Sequence, residues 1–376
     1  EAGWWDLARA RGWIHVGDIN GRAGRPLHEV ASPEPDDILA AVMQTLFLYD
    51  EVRLIEYQDY LGIGVRVAQA KRAGMLPPSI SVMAYVHGNH LYLDAAGGQV
   101  VGDRPLRLDA RERLSVELAD VAVFPSRYTR DLYIEDGGFR VRAERHLPYP
   151  ILLSAAGLDD LARGPIENLV FYGKQTPQKG YPDFVEAVLA LFADPRHAEA
   201  AARVKRVVLM GVTEPDPRLA SLPVTVEHGV WSRAEAVAML RGFAPNSLVV
   251  LPYRGDNHPL SIFEVVDFDC QLLAFDIGGV PEHLPAELAD DLLCAPNHRA
   301  LADGMARALG LSHWDRCRLV DRTRALVREA YQRHTEEYKT AIAALKRGTG
   351  RRMRPAQPGA VTVAIPNLNG TRALLE

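Results

Sequence analysis

Apolar runs alternate along this chain with amphipathic segments, and this alternation predicts parallel β-α-β construction. The last four runs are continuously apolar, as strands buried on both faces of a sheet are. Two intervening segments, 64–74 and 183–192, place apolar residues on one helical face, and Ser232 and Glu235 form a capping box that opens another helix. The strand-like runs lie at 52–57, 80–86, 121–124, 169–172, 207–210, 248–251 and 272–275.

The pattern breaks near 161–165, after a turn-rich stretch at 147–150. We therefore expect an α/β protein of two doubly wound, Rossmann-like domains facing a cleft, over residues 1–165 and 166–345. Ligands of such sheets bind beyond the carboxyl ends of the strands, so the cleft is the expected active site.

The composition changes after the second predicted domain. Residues 346–360 are rich in Gly, Pro and basic residues and predict a linker. A strand pattern restarts at 361, so 361–376 are expected to be the stub of a following domain, with a frayed terminal strand as the alternative. The chain begins at Glu1 rather than Met, and we expect a piece of a longer polypeptide whose first domain is truncated, unless 17–24 supply its glycine-rich loop.

Composition and charge exclude several classes of protein. An apolar fraction of 48% and a charged fraction of 24% are typical of globular proteins and exclude disordered and fibrous ones. The net charge of −5 argues against nucleic acid as the main partner. No apolar run approaches the ~18 residues of a membrane-spanning helix. Three cysteines without CxxC spacing favour a reducing cytoplasm over a disulfide scaffold or a zinc site, and we expect no metal site.

The segment 173–180 follows a predicted strand and precedes a predicted helix. Gly173 and Gly180 allow close approach of the backbone to a ligand, while Lys174 and Lys179 add positive charge at a helix start. This combination suits a diphosphate. An ordinary surface loop is the alternative, and the order of residues is not that of a P-loop.

Two carboxylates, Asp256 and Glu264, follow the strand at 248–251, and a glycine pair that includes Gly279 follows the strand at 272–275. Carboxylates at a helix start can accept hydrogen bonds from sugar or ribose hydroxyls, or they can simply complement the helix dipole. The glycine pair predicts a tight turn, for which structural and functional roles stay open.

His87 ends a strand of the first domain, where an acceptor-contacting residue is expected in such a fold, although a structural histidine is the alternative. The acidic pair at 267 and 269 is expected in mid-helix, where the two side chains face apart, and we interpret it as structural. The glycines at 62 and 64 do not complete a dinucleotide fingerprint, which argues against NAD binding.

The order of these motifs resembles that of retaining glycosyltransferases of the GT-B fold, family 4. The segment 173–180 resembles that family's G-R-x4-K-G loop, and 256–264 resembles its E-x7-E element. The segment 278–282 resembles its G-G-x-P-E turn, and 119–126 a first-domain Ala-Asp segment that ends in serine. Residues 361–369 resemble the opening strand of a family 2 (GT-A) glycosyltransferase, which implies a second transferase domain joined to this one in the parent chain.

The resemblance implies roles for individual residues. Lys174 and Lys179 would hold the donor diphosphate and neutralise the leaving group, and Glu264 would bind the ribose. Asp256 would face the donor sugar. Catalytic residues are then expected to be His87, Asp256 and Lys179, and donor-binding residues Gly173, Lys174, Lys179, His258, Glu264 and Gly279.

The expected function is a retaining, metal-independent hexosyltransferase that uses a UDP- or GDP-linked sugar, needs no other cofactor and extends a surface polysaccharide. Lys174 and Asp256 stand where the family has Arg and Glu. Pro259 has no backbone N–H with which to bind the nucleotide-sugar donor, and His258 could compensate for this loss. These departures keep a catalytically degenerate, glycan-binding scaffold open, and a sugar-nucleotide epimerase is the rival enzyme. The expected location is the cytoplasm, including its membrane face if the basic linker meets anionic lipid rather than solvent.

Overall fold

The computed structural model describes residues 34–96, 98, 102–151, 163–346 and 363–364. The chain divides into two compact units, of which the first contains Glu1–Tyr92, Val100–Leu152 and Arg333–Glu376 and the second Leu93–Gln99 and Leu153–Gln332. The end of the last long helix thus belongs to the first unit. Three predicted segments lie outside the described residues. They are the glycine-rich stretch 17–24, the linker 346–360 apart from residue 346, and the stub 361–376 apart from 363–364.

The strands of the described residues are β1 (Leu54–Gln58), β2 (Ser81–Tyr85), β3 (Val121–Phe124), β4 (Glu144–His146), β5 (Asn168–Tyr172), β6 (Arg206–Met210), β7 (Thr225–Gly229), β8 (Ser247–Leu251), β9 (Gln271–Phe275), β10 (Leu293–Cys294) and β11 (Val363–Ala364). The α-helices are α1 (Pro35–Leu48), α2 (Val65–Arg72), α3 (His90–Ala96), α4 (Asp103–Glu117), α5 (Arg127–Asp131), α6 (Tyr181–Ala193), α7 (Ala198–Ala201), α8 (Arg233–Phe243), α9 (Leu260–Asp267), α10 (Ala289–Leu292), α11 (His298–Gly310) and α12 (His313–Lys346).

The first unit is built on a parallel sheet with the strand order β11-β1-β2-β3-β4. One face packs against α1 and α2 through residues such as Ile55 and Val82. The other face, with Leu54 and Met83, is covered by apolar residues near the end of α12, including Ile342. Burial of both faces explains why the central strands β2 and β3 are almost entirely apolar.

The second unit is a parallel sheet with the strand order β10-β9-β8-β5-β6-β7. Numbered within this unit, the order is 3-2-1-4-5-6, that of a doubly wound dinucleotide-binding sheet. The winding direction reverses between β5 and β8. Phe171, Phe184 and Met305 lie in the buried core that α6 and α11 form with this sheet.

All seven predicted strand-like runs are strands, and the capping box formed by Ser232 and Glu235 opens α8 as predicted. The sequence pattern missed β4, β7 and β10, because they are short or polar and half exposed. The prediction that residues 267–269 lie in mid-helix was wrong. Helix α9 ends at Asp267, and Asp269 turns the chain toward β9 with φ of 57°. Asp269 is buried among arginines, with Arg324 Nη1 at 3.2 Å, in agreement with its structural interpretation.

Candidate functional site

The loops that follow β5 and β8 begin side by side, because these two strands are neighbours in the sheet. Their carboxyl ends form the topological switch point of the second unit, which is where sheets of this kind bind ligands. The first loop carries Gly173, Lys174 and Lys179, and the second carries Asp256 and His258. The tertiary structure therefore brings two of the sequence motifs to one place.

Two hydrogen bonds hold these two loops against each other. The Arg254 N–H donates to the Gln178 carbonyl at 2.9 Å, and Gln178 Nε2 donates to the Gly255 carbonyl at 2.8 Å. Gly180 has φ of +68°, and a Cβ added there would lie 1.7 Å from the Pro252 carbonyl oxygen. Only glycine fits both the conformation and the space at this position.

Gly173 is packed against the floor of the same site. A Cβ at Gly173 would lie 3.2 Å from the Tyr253 ring, whose hydroxyl donates to the Tyr172 carbonyl at 2.5 Å. A Cβ at Gly211, at the end of β6, would lie 2.3 Å from the Gly173 carbonyl oxygen. The close packing of the strand ends is thus a structural reason for glycine at 211, and it leaves little room for a side chain at 173.

Lys179 and Asp256 form an ion pair across the two loops. Lys179 Nζ lies 2.5 Å from Asp256 Oδ2 and 4.2 Å from the centre of the Tyr253 ring. Both side chains are partly exposed, so a ligand can reach them. Lys174 lies on the same loop and is exposed. The structure therefore places a fixed cation and a carboxylate together at the switch point.

Glu264 lies one turn into α9 and is held at both oxygens. The Tyr172 hydroxyl donates to Oε2 at 2.6 Å, and Arg233 Nη1 lies 2.9 Å from Oε1. Burial, together with the adjacent carboxylate, raises the pKa of Tyr172 well above its ordinary value, so this phenol remains a donor. Tyr172 and Arg233 were missed from the sequence. The position of Tyr172 as the last residue of β5 was the available signal.

Gly279 packs directly against the backbone of the second loop. Its N–H donates to the Asp256 carbonyl at 2.9 Å, and a Cβ there would lie 1.9 Å from the Asn257 carbonyl oxygen. The His258 N–H donates to Asp256 Oδ1 at 3.3 Å, while the His258 ring is buried against Phe263 and His283. Gly279 and the His258 ring therefore shape the turn that presents Asp256.

His87 lies in the first unit, two residues after the end of β2. Its ring stacks on Tyr149 with centroids 4.9 Å apart and hydrogen bonds to the Tyr149 hydroxyl. Burial lowers the pKa of His87 to about 4, so the imidazole is neutral at pH 7. A neutral imidazole can donate a hydrogen bond to a hydroxyl group of a ligand or accept one from it, but it carries no positive charge.

A buried carboxylate, Asp59, positions the His87 segment. Its oxygens accept the His87 N–H at 2.7 Å, the Gly88 N–H at 3.3 Å and the Tyr133 hydroxyl at 2.6 Å. Burial raises the pKa of Asp59 to about 6, although these three donors oppose the rise. Sequence reasoning missed Asp59, whose signal was an acidic residue directly after β1.

A second buried carboxylate, Glu112 on α4, completes this region. It accepts the Leu61 N–H and the His90 N–H, each at 2.9 Å, and lies 2.5 Å from His90 Nδ1. Leu61 has φ of 61°, a conformation that costs a non-glycine residue about 1–3 kcal/mol and therefore needs such a partner. The strained turn after β1 and the His87 segment after β2 are thus each held by a buried acid.

Among the described residues, no group of His, Cys, Asp and Glu side chains could hold a metal ion. A helix of the length and apolar character needed to cross a bilayer is likewise absent from the part of the chain that the structure describes.

The sequence matches no protein-family model and no curated protein. Solved structures are similar in fold. Sucrose-phosphate synthase from Thermosynechococcus elongatus superposes with a TM-score of 0.58 at 16% identity, over 82% of this chain and 78% of that one. An α,α-trehalose-phosphate synthase (UDP-forming) from Burkholderia vietnamiensis superposes with a TM-score of 0.56 at 18% identity, over 82% of this chain and 74% of that one. Anabaena HepE, in complex with UDP-glucose, superposes with a TM-score of 0.56 at 14% identity, over 85% of this chain and 84% of that one.

These similarities lie below the identity at which an activity can be transferred, and they concern the fold. The two parallel sheets and the strand order of the second unit agree with them. The chain therefore has the GT-B fold, with two Rossmann-like α/β units, that these solved structures share.

Proposed function

We propose that this chain is a retaining, metal-independent glycosyltransferase that moves a hexose from a UDP- or GDP-linked donor to a glycan acceptor. The observation that carries the proposal is the Lys179–Asp256 pair beside Glu264 at the switch point of a dinucleotide-type sheet. HepE, which has a similar fold, was solved with UDP-glucose, and this supports a uridine nucleotide as the first donor to test.

Lys179 and Lys174 would bind the donor diphosphate. Negative charge builds on the departing phosphate as glycosyl transfer passes through an oxocarbenium-like state. A cation that is already positioned stabilises this charge without reorganisation. Lys179 is held by Asp256 and by the face of Tyr253, so it is oriented before a donor arrives. Fixed lysines in this role are the reason to propose that no divalent metal is needed.

Glu264 would accept hydrogen bonds from the ribose hydroxyls. The Tyr172 hydroxyl fixes one carboxylate oxygen, while the other faces Arg233, whose side chain is largely exposed. An exposed ion pair contributes only about 0–1 kcal/mol, so a ribose hydroxyl can share or replace the Arg233 contact. Asp256 would face the donor sugar, and His87 would act on the acceptor side as a neutral hydrogen-bonding group.

Calorimetric titration with UDP, GDP and their sugars tests this proposal. We expect binding of one nucleotide series in EDTA, and loss of binding in Lys179→Ala and Glu264→Ala. Lys205→Ala is the matched control, because Lys205 is an exposed lysine of the same unit that pairs with Glu167. Product assays with and without a glycan acceptor then distinguish transfer from epimerisation, and a strict Mn²⁺ requirement would contradict the metal-independent mechanism.

One observation favours a second candidate, a glycan-binding module without transferase activity. Both Lys179 and Glu264 already have ionic partners within the protein, as is typical of structural ion pairs. In that case neither UDP nor GDP would bind at millimolar concentration, while oligosaccharides would.

A further inference from the structure

A buried polar cluster lies behind the Asp256–His258 turn. His258 and His283 are each 4% exposed and Tyr331 is 2% exposed. The cluster joins three parts of the second unit: the turn itself, the short helix Val280–His283 that follows Gly279, and α12. Phe263 closes it, with its ring centre 4.3 Å from that of Tyr331.

The Tyr331 hydroxyl contacts both imidazoles. It lies 3.0 Å from His258 Nε2 and 2.8 Å from His283 Nδ1. A phenol carries one proton, so toward two neutral rings it donates to one nitrogen and accepts from the other. Burial raises the pKa of Tyr331 well above its ordinary value, which keeps that proton in place.

A further contact of His283 sets the direction of these bonds when both rings are neutral. His283 Nε2 lies 3.3 Å from the Asn257 carbonyl oxygen, and a carbonyl can only accept. Neutral His283 therefore carries its proton on Nε2, which leaves Nδ1 to accept from the Tyr331 hydroxyl. The Tyr331 oxygen in turn accepts from His258, whose proton must also be on Nε2.

The chain of hydrogen bonds ends on the backbone that presents Asp256. The Asn257 carbonyl accepts from His283, and the Asp256 carbonyl accepts from Gly279 at 2.9 Å. Both carbonyls of the turn thus accept from one chain segment, 279–283. The Asp256 carboxylate itself pairs with Lys179 across the two loops.

We propose that Tyr331 is a positioning residue of the candidate donor site, acting through His258 and His283 to hold the Asp256 turn in place. The relay runs from His258 Nε2–H to the Tyr331 oxygen, and from the Tyr331 O–H to His283 Nδ1. The effect on donor binding rests on the proposed function, whereas the relay and its hold on the turn do not.

The first test is the tautomeric state, read from histidine ¹⁵N–¹H correlation spectra of the whole chain. His258→Gln and His283→Gln assign the two signals. We expect Nε2–H tautomers for both rings in the wild type, and a changed tautomer or charge state for at least one ring in Tyr331→Phe. Tyr338→Phe is the control, because Tyr338 is a half-buried tyrosine on the same helix whose hydroxyl donates to Glu56 instead. A wild-type spectrum with either ring protonated on Nδ1 would overturn the relay.

The second test measures the turn itself. Amide hydrogen exchange at His258 and Gly279 is expected to quicken at least tenfold in Tyr331→Phe and to stay within twofold of the wild type in Tyr338→Phe. The Kd for UDP is expected to rise about tenfold in Tyr331→Phe alone. Unchanged exchange at both amides would overturn the positioning role, as would altered exchange with unchanged UDP affinity. Absence of both UDP and GDP binding by the wild type would defeat the proposed function, and the exchange result would then decide the positioning role by itself.

Discussion

Lys179 Nζ lies 2.5 Å from Asp256 Oδ2, although 77 positions separate the two residues in the chain. The pair exists because β5 and β8 are adjacent in the sheet and the loops after them are joined through Gln178. Asp256 pairs with the ammonium group of Lys179. A bound diphosphate would compete with that carboxylate for the ammonium group.

Asp256→Asn is therefore expected to separate donor binding from turnover. Without the competing carboxylate, the Kd for UDP should stay the same or fall severalfold, while transfer to an acceptor should drop at least a hundredfold. Calorimetry and a product assay measure the two quantities. Weaker UDP binding would instead mean that the ion pair is needed to shape the site.

Tyr172→Phe is expected to raise the Kd for UDP about fivefold, because Glu264 loses a charge-assisted hydrogen bond that is worth ~1.5–3 kcal/mol in favourable cases. The ring stays in place, so the fold should persist. Tyr181→Phe is the control, because it removes a comparable hydroxyl that accepts the Asp216 N–H instead. The Kd of this variant for UDP should equal that of the wild type. Equal losses in both variants would argue against a specific role for Tyr172.

Gly180→Ala is expected to destabilise the second unit by more than about 2 kcal/mol, since its φ is +68° and the new Cβ would overlap the Pro252 carbonyl. Gly242→Ala is the matched control. Gly242 lies within α8 with open space around it, so alanine should be neutral or stabilise by up to about 1 kcal/mol. Urea denaturation of both variants measures the difference, and similar midpoints would contradict the geometry at Gly180.

Arg316 is 2% exposed, and its guanidinium donates to the carbonyls of Ala244, Pro245 and Ser247 and to the Gln271 side chain. Arg316→Met is expected to cost about 3 kcal/mol of unfolding free energy, because these buried acceptors lose their donors. Arg322→Met removes an exposed partner of Glu287 and should change stability by less than about 0.5 kcal/mol. A loss in Arg316→Met no larger than in Arg322→Met would show that other donors satisfy these carbonyls.

The pKa shifts of Asp59 and His87 predict opposite pH dependences of stability. The pKa of Asp59 is raised from 3.8 to about 6, so its contribution is present at low pH and is lost as the pH rises through this range. The pKa of His87 is lowered from 6.5 to about 4, so the unfolded chain binds more protons between these values and stability rises with pH. The two contributions nearly cancel in the wild type.

Removing either group should reveal the pH dependence of stability that the other group causes. Relative to the wild type, His87→Gln is expected to lose up to about 2–3 kcal/mol more at pH 6.5 than at pH 4, at 1.36 kcal/mol per pKa unit. Asp59→Asn should lose more at pH 4 than at pH 6. Denaturant titrations across this range measure both differences, and parallel curves for the wild type and both variants would contradict the assigned shifts.

The sequence by itself determined seven apolar strands, the cap of α8 and the loops that carry Gly173, Lys179, Asp256 and Gly279. These features follow from residues close together in the chain, because apolar periodicity and glycine conformation are local properties. The fold class followed from the alternation of such elements, and the structure confirms it.

Only the tertiary structure decided which side chains meet. The Lys179–Asp256 pair, the two partners of Glu264 and the Tyr331 relay each join segments that are far apart in the chain. The hold of Asp59 on His87 is of the same kind, between the ends of adjacent strands. Sheet order sets these contacts, and that order depends on how buried faces pack together over the whole unit, which no local pattern of residues encodes.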